Sequence, residues 1–101
     1  MSRFTLPEFD AVKKILIIED NQFLRTTTAD ILQLAGYEVI QAEHGKSGVD
    51  RAQLDRPDMI VCDVEMPELD GYGVLHYLSN DPKTAMIPFI FLTSRDGAEE
   101  M

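Results

Sequence analysis

The sequence predicts an α/β domain built on a parallel sheet, and three observations predict it. Short apolar runs alternate with longer segments of helical character, in the order β-α-β-α-β-α-β, which implies parallel strands joined by right-handed crossovers. One run, residues 59–62, is continuously apolar and too short for a helix, as expected of a strand buried on both faces. Three of the runs stop abruptly at polar residues, Glu19-Asp20, Asp63 and Thr93-Ser94. Polar groups delivered to one edge suit an open α/β sheet, where ligands bind outside the carboxyl ends of the strands.

Residues 1–11 read as a loosely held N-terminal arm, with Pro7 and mixed polarity, and residues 12–101 as the domain. The first strand spans 12–18 and runs directly into Glu19-Asp20. Asn21 caps a helix that runs to residue 35, with Leu24, Thr28, Ile31, Leu32 and Ala35 expected on its inward face and Gly36 as its stop. A second strand follows over 37–42, rich in strand-forming residues. Residues 45–54 make a weaker helix, since Ser47 and Gly48 lower its propensity. After Pro57-Asp58 comes the strand ending at Asp63, then a loop broken by Met66-Pro67 and Asp70-Gly71. A third helix covers 72–78, capped by Asp70, with Val74, Leu75 and Leu78 inward. Asn80-Asp81-Pro82 turns the chain into a fourth strand over 87–92, and Asp96-Gly97 begins a further helix.

Totals exclude several classes of function. A chain of 101 residues has room for one core. Nine Lys and Arg against eighteen Asp and Glu give a formal charge of −9, which repels phosphate backbones and argues against nucleic-acid binding by this segment. No apolar run is long enough to span a membrane, and the first residues lack the apolar core of a signal peptide. The single cysteine, Cys62, sits in the most apolar strand and reads as core, consistent with a reduced, cytoplasmic setting. His44 and His76 have no companions at metal-ligand spacing and read as surface residues.

The acids at the strand ends carry the chemistry. Glu19, Asp20 and Asp63 would crowd together if their strands are neighbours, and like charges at short range are unfavourable unless a cation sits among them. Hard oxygen ligands suit Mg²⁺, which commonly takes one or two carboxylates together with phosphate oxygens. A carboxylate also serves as a nucleophile toward phosphorus, giving an aspartyl phosphate, and the Thr93 hydroxyl is placed to donate to an oxygen of the transferring group.

Glu19-Asp20 after an Ile-rich strand, Asp63-Val64-Glu65-Met66-Pro67 followed by Leu69-Asp70-Gly71, and Leu92-Thr93-Ser94 together resemble the receiver domains of two-component response regulators. The resemblance runs from about residue 12 to the end. It implies a flavodoxin-like, doubly wound fold with strand order 2-1-3-4, a fifth strand following in the family. It also implies that Asp63 is the phosphoacceptor, taking its phosphoryl group from a histidine kinase or phosphotransfer protein in a Mg²⁺-dependent reaction. Glu19 and Asp20 match the family's acidic metal-binding pair, with Asp20 the direct ligand. Glu65 stands where the family offers a main-chain carbonyl to the metal. Thr93 matches the hydroxyl that closes on the phosphoryl group. The family's fifth strand and last helix, and the lysine and aromatic residue of that strand, have no counterpart in the 101 residues, and Lys46 and Lys83 fall in other elements. An exposed fourth-strand edge is therefore expected, open to self-association or to completion by another segment. Two alternatives stand beside this reading. One is a receiver-like interaction domain that never carries phosphate. The other is an aspartyl-phosphate hydrolase of the haloacid-dehalogenase type, which the Glu65-Met66 pair after Asp63 does not fit.

Overall fold

The computed structural model describes residues 12–92. The arm expected over 1–11, Thr93-Ser94 and the helix expected from Asp96 lie outside the described residues. Seven elements follow one another: β1 (Lys14–Ile18), α1 (Gln22–Leu34), β2 (Glu38–Ala42), α2 (Gly45–Asp55), β3 (Met59–Asp63), α3 (Gly71–Ser79) and β4 (Phe89–Leu92). The strands form one parallel sheet in the order β2-β1-β3-β4, as the sequence resemblance implies. Among the described residues β4 pairs with β3 alone, and its Ile90 is exposed.

β1 shows why these strands are apolar throughout. Successive side chains point to opposite faces, and both faces are covered. Ile15 and Ile17 join a core cluster with Ala29 of α1, while Leu16 and Ile18 join another with Ala52 of α2 and Val74 and Leu78 of α3. The sheet thus lies between α1 on one side and α2 with α3 on the other.

The starts and stops have local causes. The Asn21 side chain accepts from the Leu24 N–H at 2.9 Å, capping α1. Gly36, at φ 103°, ends that helix, with the Tyr37 N–H donating to Leu32 and the Gly36 N–H to Gln33. This double closure is a Schellman motif, which favours a residue without Cβ at the left-handed position. α2 is capped by His44, whose Nδ1 accepts from the Ser47 N–H while Ser47 Oγ accepts from the His44 N–H, each at 3.3 Å. At the opposite edge of the sheet, Asp58 accepts from the N–H groups of Lys13 and Lys14 at 3.0 and 2.9 Å, tying the start of β3 to that of β1.

One expectation is corrected. Leu24 and Ala35 are exposed and Ile31 is 60% exposed, so they do not form the inward face of α1. The buried residue is Ala29, with Arg25, Thr28 and Leu32 half-buried beside it. A small side chain lets the helix axis approach the sheet, and the larger residues flank that line instead of occupying it.

Candidate functional site

The site lies where β1 and β3 end. These strands are hydrogen-bonded neighbours with Ile18 paired to Cys62, so the residues that follow each are brought side by side. Ligand atoms of Glu19, Asp20 and Asp63 all lie within 4.8 Å of one another. Two of the three acids are almost fully buried, Glu19 at 2% exposure and Asp63 at 1%, while Asp20 is exposed.

Glu19 is held at several points. Its N–H donates to the Ala42 carbonyl at 3.1 Å, its carboxylate Oε2 accepts from the Asn21 N–H at 3.0 Å, and its own carbonyl accepts from Arg25 Nη1 at 2.8 Å. Burial, opposed in part by the Asn21 hydrogen bond and reinforced by the nearby Asp63 and Asp20 charges, raises its carboxyl to about 7. Asp63 has the reverse character: its Oδ1 is buried and has no hydrogen-bond partner among the described residues. An orphaned carboxylate oxygen in that position is costly unless something comes to it. Burial, and then the charges of Asp63, Glu19 and Asp70, push the neighbouring Cys62 thiol up to about 12, so it stays protonated and structural.

The loop from β3 to α3 is drawn tightly around the end of β3. Met66 is buried in the core on the α2–α3 side, which anchors the loop's middle. Glu68 takes the left-handed conformation at φ 72°. The Gly71 N–H donates to the Val64 carbonyl at 2.9 Å, and a Cβ at Gly71 would overlap the Asp63 carbonyl oxygen. Asp70 caps α3, accepting from the Gly73 N–H at 2.9 Å. Glu65 is exposed, on an open groove lined also by Val64, Met66, Pro67, Asp70 and Tyr72. A separate cavity of about 330 Å³ between α2 and this loop contains none of the three acids.

Three carboxylates with hard oxygen donors fit a small divalent cation. Oxygens around an octahedral ion at about 2.1 Å stand about 3 to 4 Å apart, so groups within 4.8 Å need only small side-chain adjustments to share one. The cation would also favour the ionised form of Glu19, against the burial and, to a lesser degree, the Asp63 and Asp20 charges that raise its carboxyl.

Comparison with known proteins decides the family. Residues 15–101 match the response regulator receiver domain. The chain belongs to that family. The receiver is 34% identical over 82 residues to the polar-differentiation response regulator DivK of Brucella anthropi, spanning 81% of this chain and 67% of that protein. It is 37% identical over 84 residues to the alkaline phosphatase synthesis transcriptional regulatory protein PhoP of Bacillus subtilis, covering 83% of this chain but only 34% of that protein. Among solved structures, it superposes on the receiver domain of a sensor histidine kinase from Pseudomonas aeruginosa with TM-score 0.79 and 32% identity, over 89% of this chain and 75% of that one. That domain holds a magnesium ion coordinated in its active site cleft.

Of the residues singled out from sequence, the receiver brings Glu19, Asp20 and Asp63 together, with Glu65 in the adjoining loop. Thr93 lies outside the described residues, directly after Leu92, which pairs with Asp63 across the sheet. Sequence reasoning missed Arg25, six residues beyond the carbonyl it bonds. Its one signal was a basic residue in the first turns of a helix that follows two acids.

Proposed function

We propose that this receiver accepts a phosphoryl group on Asp63 from the phosphohistidine of a histidine kinase or phosphotransfer protein, in a Mg²⁺-dependent reaction. The observation that carries the reading is the buried Asp63 Oδ1, without a partner among the described residues, on a carboxylate with a ligand atom within 4.8 Å of those of Glu19 and Asp20. A carboxylate oxygen of Asp63 attacks phosphorus, forming the O–P bond as the N–P bond to the donor imidazole breaks, and the imidazole nitrogen leaves with the electron pair. Asp20 and Asp63 would hold Mg²⁺ by their carboxylates, Glu19 supporting them and Glu65 offering its main-chain carbonyl. Bound there, the ion supplies positive charge against the oxygens of the transferring group. Burial fixes the Asp63 carboxylate at the strand end, and the Thr93 hydroxyl donates to a phosphoryl oxygen. The receiver assists its own modification and is a signalling module, not a turnover enzyme.

Incubation with a small phosphodonor and Mg²⁺, followed by intact-mass measurement, tests this. One phosphoryl mass is expected, lost with a chelator and absent in Asp63→Asn. No gain in mass, or a gain that persists in Asp63→Asn, would overturn the assignment.

A further inference from the structure

We infer that Arg25 is a positioning residue for the acidic site, setting the direction in which Glu19 and Asp20 present their carboxylates by holding the Glu19 carbonyl. The inference rests on the acidic cluster being the Mg²⁺ site proposed above. Glu19 ends the run of β1, where its N–H still finds Ala42 but its carbonyl has left the strand ladder. A main-chain carbonyl near the interior needs a partner, and Arg25 Nη1 supplies it at 2.8 Å. The same short turn carries the Asn21 N–H that donates to Glu19 Oε2 and the Asn21 side chain that caps α1. Arg25 therefore closes a turn whose other bonds fix the Glu19 side chain, with Asp20 between them.

Two observations set this role apart from simple charge balance. Arg25 falls in the first turns of α1, where a cation is disfavoured by the helix dipole, and that first turn holds no acid to offset it. With three carboxylates crowded nearby, an arginine kept for its charge would pair with one of them. Arg51 and Asp55 form the ion pair seen among the described residues, whereas the bond seen from Arg25 goes to a carbonyl.

The two roles predict opposite signs. Removing a cation beside a cation site relieves repulsion and tightens Mg²⁺ binding. Removing a group that holds the metal ligands in place weakens it, by about tenfold at the lower end of the usual range. Calorimetric Mg²⁺ titration of Arg25→Ala should therefore show weaker binding, by about tenfold, despite the lost charge. Arg25→Lys, which keeps a donor and the charge, should recover part of the loss. In Mg²⁺-free protein, the Asn21 amide of Arg25→Ala should shift in the NMR spectrum and exchange faster, while amides of β2 and α3 hold their positions. Equal or tighter Mg²⁺ binding in Arg25→Ala, or an unchanged Asn21 amide, would overturn the inference. Absence of Mg²⁺ binding by the unaltered protein would instead overturn the metal site, and the Asn21 amide would still decide whether Arg25 sets the turn.

Discussion

Glu19 shows how one buried side chain ties the site to pH. Its carboxyl is raised from its ordinary 4.5 to about 7, chiefly by burial. Between those two values the unfolded chain has lost the proton that the folded chain keeps. The folded state then binds more protons, and its stability falls as pH rises through the window; below 4.5 the penalty is absent, and above 7 it is complete. Denaturant melts of Mg²⁺-free protein across this range should show the decline, and Glu19→Gln should flatten it. A slope as steep in Glu19→Gln as in the unaltered protein would place the titrating group elsewhere. The acids themselves were legible in the sequence because a carboxylate ending an apolar strand contradicts its surroundings. Burial was not: nothing in the letters separates the 2% exposure of Glu19 from the exposed Asp20 beside it.

At the scale of elements, the loop after β3 is shaped by what glycine omits. A Cβ at Gly71 would run into the Asp63 carbonyl and close on Val64 Cα, both main-chain atoms that cannot step aside without moving Asp63. A Cβ at Gly73 would meet the end of the flexible Leu69 side chain instead. Gly71→Ala should cost about 1–3 kcal/mol, as overpacking does, and weaken the proposed phosphoryl acceptance. Gly73→Ala should be neutral or gain up to about 1 kcal/mol from helix propensity. Chemical denaturation of both variants checks the pair, and similar midpoints would show that the loop yields freely. The strands and all three helices were legible because their runs, caps and breaks agree, with Asn21, Gly36 and Asp70 each found in the role its chemistry suggests. The rotation of α1 was not. Helical periodicity gives the spacing of an inward face but not its phase, and large residues such as Ile31 outweigh Ala29 in any reading by hydrophobicity. The His44 cap was missed for a similar reason, since its bond depends on the imidazole's orientation rather than on a favoured capping residue.

For the molecule as a whole, the site exists only when the sheet does. Glu19 and Asp20 reach Asp63 because β1 pairs in parallel with β3 across the centre of the sheet, with α1, β2 and α2 intervening in sequence. An unfolded chain separates these acids, so Mg²⁺ bound at the cluster stabilises the native state by mass action. At about a hundred times its dissociation constant the ion should add about 2.7 kcal/mol. For a domain of this size that raises the melting temperature by about 10 °C or more. Mg²⁺ would compete with the proton that Glu19 retains, chiefly through burial and to a lesser degree through the Asp63 and Asp20 charges, so the shift should grow as pH rises toward 7. Thermal melts with and without Mg²⁺ measure this directly, with Asp20→Ala and Asp63→Asn as comparisons in which the shift should shrink. Ca²⁺, which prefers more ligands and longer bonds, should give a smaller shift at equal concentration. A Mg²⁺ shift that survives both substitutions would mean that the ion binds away from the ends of β1 and β3, and the three acids would then need another reason to stand together.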